Sequence, residues 1–284
     1  MLRLAGVITE GGPTSAGQSA THRPRYILLI VSGGRQEPLR ESSMCGRYAL
    51  DVTGSELAQV FGSMLGTGVD FQPRLNIAPT MEAPVLRGFK GASMRLDLLR
   101  WGLIPSWSTD AGVGGRLINA RSETVFEKPA FKAAVRDRRC LVPARLFYEW
   151  KRLGRSRVPF GIRPSDDSFF AFAGIWERWK GKDQSLETVA ILTTSPNTIM
   201  APIHDRMPVI LDHHARRRWL DHRKTADGGP SEIELRSFLT PVASDLLQVH
   251  RVSPQVNDAR HEEPGLMDPI DATIDDSEPP GLFG

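Results

Sequence analysis

Two neighbouring apolar runs stand out in the sequence Arg139-Cys140-Leu141-Val142-Pro143-Ala144-Arg145-Leu146-Phe147-Tyr148-Glu149-Trp150-Lys151. Residues 139–142 and 146–151 are rich in aromatic, β-branched and other apolar side chains, which is typical of short strands. Eight more runs of this kind lie on either side, at 46–50, 84–87, 95–101, 158–163, 168–175, 187–194, 207–211 and 246–252. The chain is therefore expected to be built mainly from strands.

Helix signals are few. Thr53-Gly54-Ser55-Glu56 has the spacing of a capping box, and apolar residues at helical spacing follow it up to Leu65. Pro129 suits a first helical turn, residues 231–234 repeat the capping box, and Asp212 is expected to cap a shorter helix. Strands without regular intervening helices argue against a doubly wound α/β fold. We expect an α+β fold with a barrel-like, mainly antiparallel sheet core and a few peripheral helices.

The composition is that of an ordinary globular protein. The 284 residues are 40% apolar and 24% charged, and no apolar run approaches the roughly 18–20 residues of a membrane span, which excludes an integral membrane protein. The only cysteines, Cys45 and Cys140, rule out a disulfide scaffold, and with His204 they lack the spacing of a zinc site. Phosphate-cradling glycine motifs are absent, so neither a metal nor an organic cofactor is expected.

Charge is unevenly distributed along the chain. The net charge of +3 divides into +2 for residues 1–43, +8 for 44–257 and −7 for 258–284. The middle segment is expected to be the folded domain, and the acidic, proline-rich segment after it a disordered tail. A basic domain suits a polyanion such as nucleic acid, although a merely solvated basic surface has the same charge.

The first 43 residues do not read as part of the core. Their apolar run, 26–31, is too short and lies too far into the chain for a secretory signal. They are expected to be either a disordered extension or a mis-assigned start, with Met44 as the true first residue.

Six motifs carry polar or reactive residues in a fixed order. They are Met44-Cys45-Gly46-Arg47-Tyr48, Leu75-Asn76-Ile77-Ala78-Pro79-Thr80, Trp101-Gly102-Leu103-Ile104-Pro105-Ser106-Trp107, Asn119-Ala120-Arg121-Ser122-Glu123-Thr124, Cys140-Leu141-Val142-Pro143 running on to Phe147-Tyr148-Glu149-Trp150, and Ile203-His204-Asp205-Arg206-Met207-Pro208-Val209-Ile210-Leu211. In this order they resemble the SOS response-associated peptidase (SRAP) family of abasic-site processing proteins, over residues 44–257. The resemblance implies a DNA-associated protein, and we expect a monomer in the bacterial cytoplasm without membrane contact.

One position departs from the family pattern. Where the family commonly has Asp-Gly before the Phe-Tyr-Glu-Trp motif, this chain has Arg145-Leu146. A leucine cannot replace a glycine that needs a positive φ. We therefore expect an altered turn at this point, which would also affect the placing of Glu149.

Cys45 is the candidate nucleophile. If the residues before it are removed, it offers an α-amine with a pKa of about 7.7–8.0 and a thiol with a pKa of about 8.5 on adjacent carbons. Such a 1,2-aminothiol forms an imine with an aldehyde and then closes to a five-membered thiazolidine, and a ring-opened abasic deoxyribose exposes an aldehyde. A small buried core residue is the alternative interpretation.

Glu149, His204 and Asn119 are the other candidate catalytic residues. Glu149 lies in an apolar strand and should point opposite to its aromatic neighbours, where desolvation raises a carboxyl pKa and suits proton transfer. His204 can accept and return protons, and the family resemblance implies that it assists ring opening. Asn119 can orient the amine or a carbonyl oxygen. Thr193 is a weaker candidate for a polar contact with DNA in the site.

Four further residues are predicted to bind DNA. Arg47 and Arg121 each lie two residues from a candidate catalytic residue, share its face if the chain is extended, and suit phosphate groups. Trp101 and Trp107 could form a flat platform for an unpaired base, with core packing as the alternative. Basic residues with exposed aromatics favour single-stranded DNA.

Three functions follow from these residues. The favoured one is an abasic-site sensor that crosslinks covalently to single-stranded DNA through Cys45 and removes its own leader. A cysteine peptidase using Cys45, His204 and either Asn119 or Glu149 fits the residue types. A non-covalent DNA-binding module is the third interpretation.

Overall fold

A computed structural model describes residues 45–88 and 93–270. Its strands are β1 (Tyr48–Leu50), β2 (Ser63–Leu65), β3 (Arg74–Ile77), β4 (Glu82–Gly88), β5 (Met94–Trp101), β6 (Asn119–Arg121), β7 (Arg139–Ala144), β8 (Leu146–Leu153), β9 (Ser156–Pro164), β10 (Phe170–Lys180), β11 (Ser185–Thr194), β12 (Met207–Pro208) and β13 (Leu247–Arg251). The helices are α1 (Gly54–Phe61), α2 (Lys132–Asp137), α3 (His213–Trp219) and α4 (Glu232–Ser237), and short 3-10 turns cover Ala111–Arg116, Thr225–Asp227, Ser244–Leu246 and Pro254–Asn257.

Five strands close a barrel. In the order β11-β10-β7-β4-β5 each strand pairs with the next in antiparallel fashion, and β5 then pairs with β11 in parallel, with Trp101 opposite Val189. The barrel strands carry mostly buried apolar residues on both faces, among them Leu86, Leu141 and Phe172, each 0% exposed. The predicted α+β fold with a barrel-like, mainly antiparallel core and few helices is confirmed.

A second sheet contains β1, the first strand after Cys45. Its strand order is β13-β9-β8-β1-β3. Phe147 on β8 packs against Phe170 and Phe172 of the barrel, with ring centroids 5.8 and 5.9 Å away. The neighbouring Tyr148 belongs to a smaller apolar cluster instead. Alternation along β8 therefore places Glu149 on the face of Phe147, opposite to Tyr148, as the sequence predicts.

Several element boundaries differ from the expectation. Strands β2, β3 and β6 were absent from the prediction, and α1 ends at Phe61 because Gly62 adopts a left-handed φ of +62°. Leu65 therefore lies in a strand rather than in the helix. Helix α2 begins at Lys132, so the prediction that Pro129 opens it is wrong.

The predicted helix caps are confirmed. The Thr53 side chain accepts a hydrogen bond from the Glu56 backbone N–H, and the Glu56 side chain accepts one from the Thr53 N–H. Asp212 accepts from the Ala215 N–H at 2.7 Å, and the Ser231 hydroxyl accepts from a backbone N–H in the same way. These caps satisfy N–H groups that a helix leaves without partners at its start.

Residues 258–270 are not part of a disordered tail, contrary to the expectation. Glu262 pairs with Arg74 at 2.7 Å and accepts the backbone N–H of Leu75 at 2.6 Å. Leu266 is 2% exposed in the small apolar cluster. The acidic composition does not reveal this packing, because the Glu262 carboxylate has its partners on the distant strand β3. Residues 1–43 and 271–284 lie outside the described residues.

The altered turn expected at Arg145-Leu146 is also wrong. Leu146 is a buried residue of β8 opposite Ala49 on β1, and the positive φ values of non-glycine residues fall elsewhere in the described ranges. Arg145 pairs with Asp51 at 3.0 Å and lies 3.7 Å over the Phe169 ring. No glycine is needed here because neither Arg145 nor Leu146 has a positive φ, and β8, which carries Glu149, pairs regularly with β9. Among the described residues, no helix is long and apolar enough to cross a membrane.

Candidate active site

Cys45 and Glu149 are in direct contact. Strands β1 and β8 run antiparallel with Tyr48 opposite Phe147, so the residues just before β1 lie beside Glu149. The Cys45 backbone nitrogen donates to Glu149 Oε1 at 2.7 Å. Cys45 adopts a positive φ of +35° and is 1% exposed. The two residues that the sequence predicted as nucleophile and proton carrier thus meet at the nitrogen that would become the α-amine.

Burial sets the protonation of this pair. Desolvation raises the pKa of Glu149 to about 8, against the lowering effect of hydrogen bonds from the Cys45 and Trp150 backbone, and the charge of Asp205 adds to the rise. The predicted upward shift is confirmed. Burial, with the nearby Glu149 charge, also raises the pKa of the Cys45 thiol. At neutral pH the site therefore holds a protonated carboxyl beside a protonated thiol.

His204 lies in the loop before β12. Its Nδ1 accepts a hydrogen bond from the Arg206 backbone N–H at 3.1 Å, which places the proton of the neutral ring on Nε2. Asp205 Oδ1 lies 3.0 Å from the same Nδ1 and favours the charged ring. Burial outweighs this attraction and lowers the pKa of His204. The imidazole is therefore neutral near pH 7.

A carboxylate–guanidinium pair supports this loop. Arg206 donates two hydrogen bonds to Glu123, at 2.6 and 2.8 Å, and a third to the Thr193 carbonyl at 2.6 Å. The same residue donates its backbone N–H to His204. Sequence reasoning missed Glu123 and Arg206, although both lie inside quoted motifs. The sequence signal that could have identified this pair is Arg206 itself, which directly follows His204 and Asp205.

The remaining catalytic candidate, Asn119, begins β6. It lies opposite Ile191 on β11, in parallel pairing, and is half-buried. Thr193, two residues further along β11, is 0% exposed, and its hydroxyl faces the Arg206 guanidinium at 3.5 Å. A direct contact between Thr193 and DNA is therefore wrong. Arg121, at the end of β6, is exposed.

The two tryptophans have different environments. Trp101 is 0% exposed and donates its indole N–H to the Ile118 carbonyl at 2.9 Å. The proposed base platform is therefore wrong for Trp101, which is a core residue. Trp107 is 67% exposed, so its face is open to solvent.

Arg47 is held by the protein. It donates to Asn76 Oδ1 at 2.8 Å and to the Val256 carbonyl at 2.7 Å, and its guanidinium lies 5.8 Å over the Trp150 ring. Cys45 instead belongs to the barrel-side core. The expectation of a shared face is wrong for Cys45 and Arg47, because the positive φ of Cys45 interrupts the alternation of an extended chain, whereas Asn119 and Arg121 do lie on one strand. Within the described ranges, no group of three or more His, Cys, Asp and Glu side chains could hold a metal ion.

These features define a class of protein in which a closed five-stranded barrel and a second sheet bury a cysteine against a protonatable carboxyl group. The sequence profile described as SOS response associated peptidase (SRAP) matches residues 44–259, and the chain belongs to this family.

Similar proteins extend this finding. Abasic site processing protein YoaM of Bacillus subtilis is 39% identical over 228 residues, covering 79% of this chain and 98% of that protein. Abasic site processing protein HMCES of Xenopus tropicalis is 30% identical over 233 residues, covering 71% of this chain and 68% of the HMCES protein. The fold is shared with a crystal structure of a protein from Bacteroides thetaiotaomicron, at a TM-score of 0.71 and 23% identity, covering 80% of this chain and 100% of that one.

Proposed function

We propose that this protein captures abasic sites in single-stranded DNA as a covalent thiazolidine on Cys45. The observation that carries the proposal is the 2.7 Å contact between the Cys45 nitrogen and Glu149 Oε1. It joins the future amine nucleophile to a buried carboxyl whose pKa of about 8 suits proton exchange near neutral pH. The names of the relatives, abasic site processing proteins, support the choice of substrate.

The reaction has two steps and releases one water. The α-amine of Cys45 adds to the C1′ aldehyde of the ring-opened sugar, and loss of the hydroxyl with a proton gives an imine. The thiol sulfur then bonds to the imine carbon while its proton moves to the nitrogen, which closes the five-membered ring. Glu149 is placed to protonate the departing hydroxyl and to accept a proton in turn, and neutral His204 assists opening of the sugar.

The reaction requires Cys45 to be the first residue. The nitrogen beside Glu149 is an amide while Met44 precedes it, and an amide cannot form the imine. Either initiator methionine is removed from a chain that begins at Met44, or a longer leader is cleaved by the protein itself with Glu149 as proton carrier. The protein then acts as a monomer on DNA in the bacterial cytoplasm, shielding the lesion.

The basic domain supports DNA as the partner. Residues 44–257 carry a net charge of +8, and Arg121 and Trp107 are exposed for a phosphate and an unpaired base. An exposed aromatic favours a single strand, in which bases are free to stack. A cysteine peptidase acting in trans is less well supported, because a peptidase needs an accessible thiolate, whereas the buried Cys45 thiol has a raised pKa.

A crosslinking assay tests the proposal. Protein beginning at Cys45 should form a denaturant-resistant adduct with a single-stranded oligonucleotide bearing one abasic site, because the thiazolidine is covalent. Neither Cys45→Ala nor Cys45→Ser should form this adduct, because both lack the thiol and, through the α-amine that they keep, retain only an imine that borohydride traps. Cys140→Ser is the matched control, since Cys140 is also buried but lies in the barrel strand β7. An equally stable adduct from Cys45→Ala would contradict the proposal.

A further inference from the structure

The hairpin formed by β8 and β9 is strongly basic at its tip. Residues 151–157, here called the basic hairpin, contain four basic side chains and no acidic one: Lys151, Arg152, Arg155 and Arg157. A tight turn at Gly154, with φ +57°, joins the strands, and residues 152–157 are exposed. A positive φ suits glycine, so the turn holds the four cations on a defined scaffold.

Two of these cations lie opposite each other in the strand pair. Arg152 lies directly opposite Arg157 in the antiparallel register. Like charges in this position destabilise a strand pair. In the described part of the chain, neither guanidinium forms an ion pair with a carboxylate. The hairpin of β10 and β11 shows the usual arrangement, because Arg178 lies opposite Glu187 and pairs with it at 2.6 Å.

The basic hairpin begins at the candidate active site. Glu149 lies on β8 three residues before Arg152, a separation of about 10 Å in an extended strand. On the returning strand, the charge of Arg157 adds to burial in lowering the pKa of His204, so the two residues are within electrostatic reach. By alternation along β8, Lys151 shares the face of Glu149, whereas Arg152 and its opposite partner Arg157 share the other face, so positive charge extends outward from the candidate site on both faces of the hairpin.

We propose that the basic hairpin binds the phosphate backbone of the DNA that flanks the abasic site, with Arg152 and Arg157 as paired phosphate contacts. This inference rests on the proposed function and assigns it a DNA path that none of the six motifs contains. The partner is a polyanion with regularly spaced charges, because the phosphates of one backbone can neutralise both cations together. The distance of about 17 Å from Glu149 to the turn spans several nucleotides.

Non-covalent binding isolates this contribution. The probe is a single-stranded oligonucleotide with a tetrahydrofuran analogue of the abasic site, which has no aldehyde, and affinity is measured by fluorescence anisotropy across salt concentrations. Arg152→Gln with Arg157→Gln should weaken binding and reduce the log–log salt slope by about 1.4, since each single-strand phosphate contact contributes roughly 0.7. Replacing both arginines by lysine should preserve most of the slope. The glutamine variant should not lower the free energy of unfolding, because it relieves a like-charge pair, and the lysine variant should not because it keeps the same charges at exposed positions.

A second hairpin supplies the matched control. Lys180→Gln with Lys182→Gln removes the same charge from the exposed tip between β10 and β11, and should leave the salt slope close to that of the wild type. A double arginine variant that binds like the wild type would overturn the inference, provided the wild type crosslinks aldehyde-bearing DNA. If the wild type fails to crosslink while the arginine variant still loses salt slope, the proposed function fails and the hairpin assignment stands.

Discussion

A carboxyl group and a cysteine nitrogen account for the proposed chemistry at the scale of single residues. Glu149 is 2% exposed, which would be costly for a charged carboxylate and is tolerated because burial keeps it protonated near neutral pH. Its Oε1 accepts a hydrogen bond at 2.7 Å from the nitrogen that must lose and gain protons. The Cys45 backbone therefore positions the Glu149 carboxyl directly, and no other catalytic side chain lies between the two groups.

Replacing Glu149 by glutamine tests this role. The substitution keeps size and hydrogen bonding but cannot transfer a proton, so single-turnover crosslinking should slow by roughly 10²–10⁴-fold with little change in DNA affinity. While the Cys45 nitrogen is an amide, burial raises the pKa of Glu149 to about 8, and the positive charge of a free Cys45 ammonium opposes this rise. The acid form of Glu149 is lost as pH rises through its pKa, so the acid-dependent part of the wild-type rate should fall with rising pH, and this component should be missing from Glu149→Gln.

Glu177→Gln serves as the control for Glu149→Gln, because Glu177 is also buried but pairs with Arg138 on the barrel side. Its crosslinking rate should follow the wild type across the pH range. Wild-type rates from Glu149→Gln between pH 6 and 9 would remove Glu149 from the mechanism.

Helices and strands that have a local sequence signal could be predicted from the sequence. Strands that form only because a distant strand pairs with them could not. The apolar run of β8 identifies a strand, and Thr53 identifies a helix start, because both signals are local. Strand β6, only three residues long and mostly polar, forms because β11 pairs with it. Its strand state depends on a partner about 70 positions away, which no local pattern reveals.

The site was predictable in its residue types but not in its contacts. Cys45 and Glu149 were identified by chemistry and motif, yet their contact depends on the pairing of β1 with β8. Trp101 and Trp107 flank the same short motif, and only the closure of the barrel buries the first. The Glu123–Arg206 pair joins two distant motifs and needed the fold to be seen.

The packed segment 258–270 gives a test at the scale of elements. Leu266→Ala should lower the free energy of unfolding by about 2–5 kcal/mol, because it removes a buried side chain from the cluster behind β8. Ile233→Ala is the control, since Ile233 is 83% exposed on α4 and should change stability by less than about 0.5 kcal/mol. Urea unfolding measures both. Equal stabilities would indicate that residues 258–270 contribute little to the fold.

Two sheets contribute different parts of the proposed chemistry at the scale of the whole molecule. The barrel strand β11 pairs with β6, which begins at Asn119, and with β12, which follows the loop that carries His204. The second sheet supplies Glu149 and the basic hairpin, and Cys45 lies just before its strand β1. The charges are divided as well, since the excess of +8 lies on residues 44–257 and the excess of −7 on 258–284. Of the acidic residues in 258–270, Glu262 is neutralised by Arg74 on β3, and Asp258 pairs with Arg260.

Mass spectrometry of the crosslinked protein tests the central claim most directly. The adduct is formed with abasic single-stranded DNA, treated with borohydride once crosslinking is complete, and then digested with nuclease and trypsin, which releases the tripeptide 45–47. We predict that the sugar remnant lies on this tripeptide and that no hydride is taken up, because a thiazolidine, unlike an imine, is not reduced. A remnant on a lysine peptide, a reduced adduct, or a modified peptide that still carries residues before Cys45 would contradict the account.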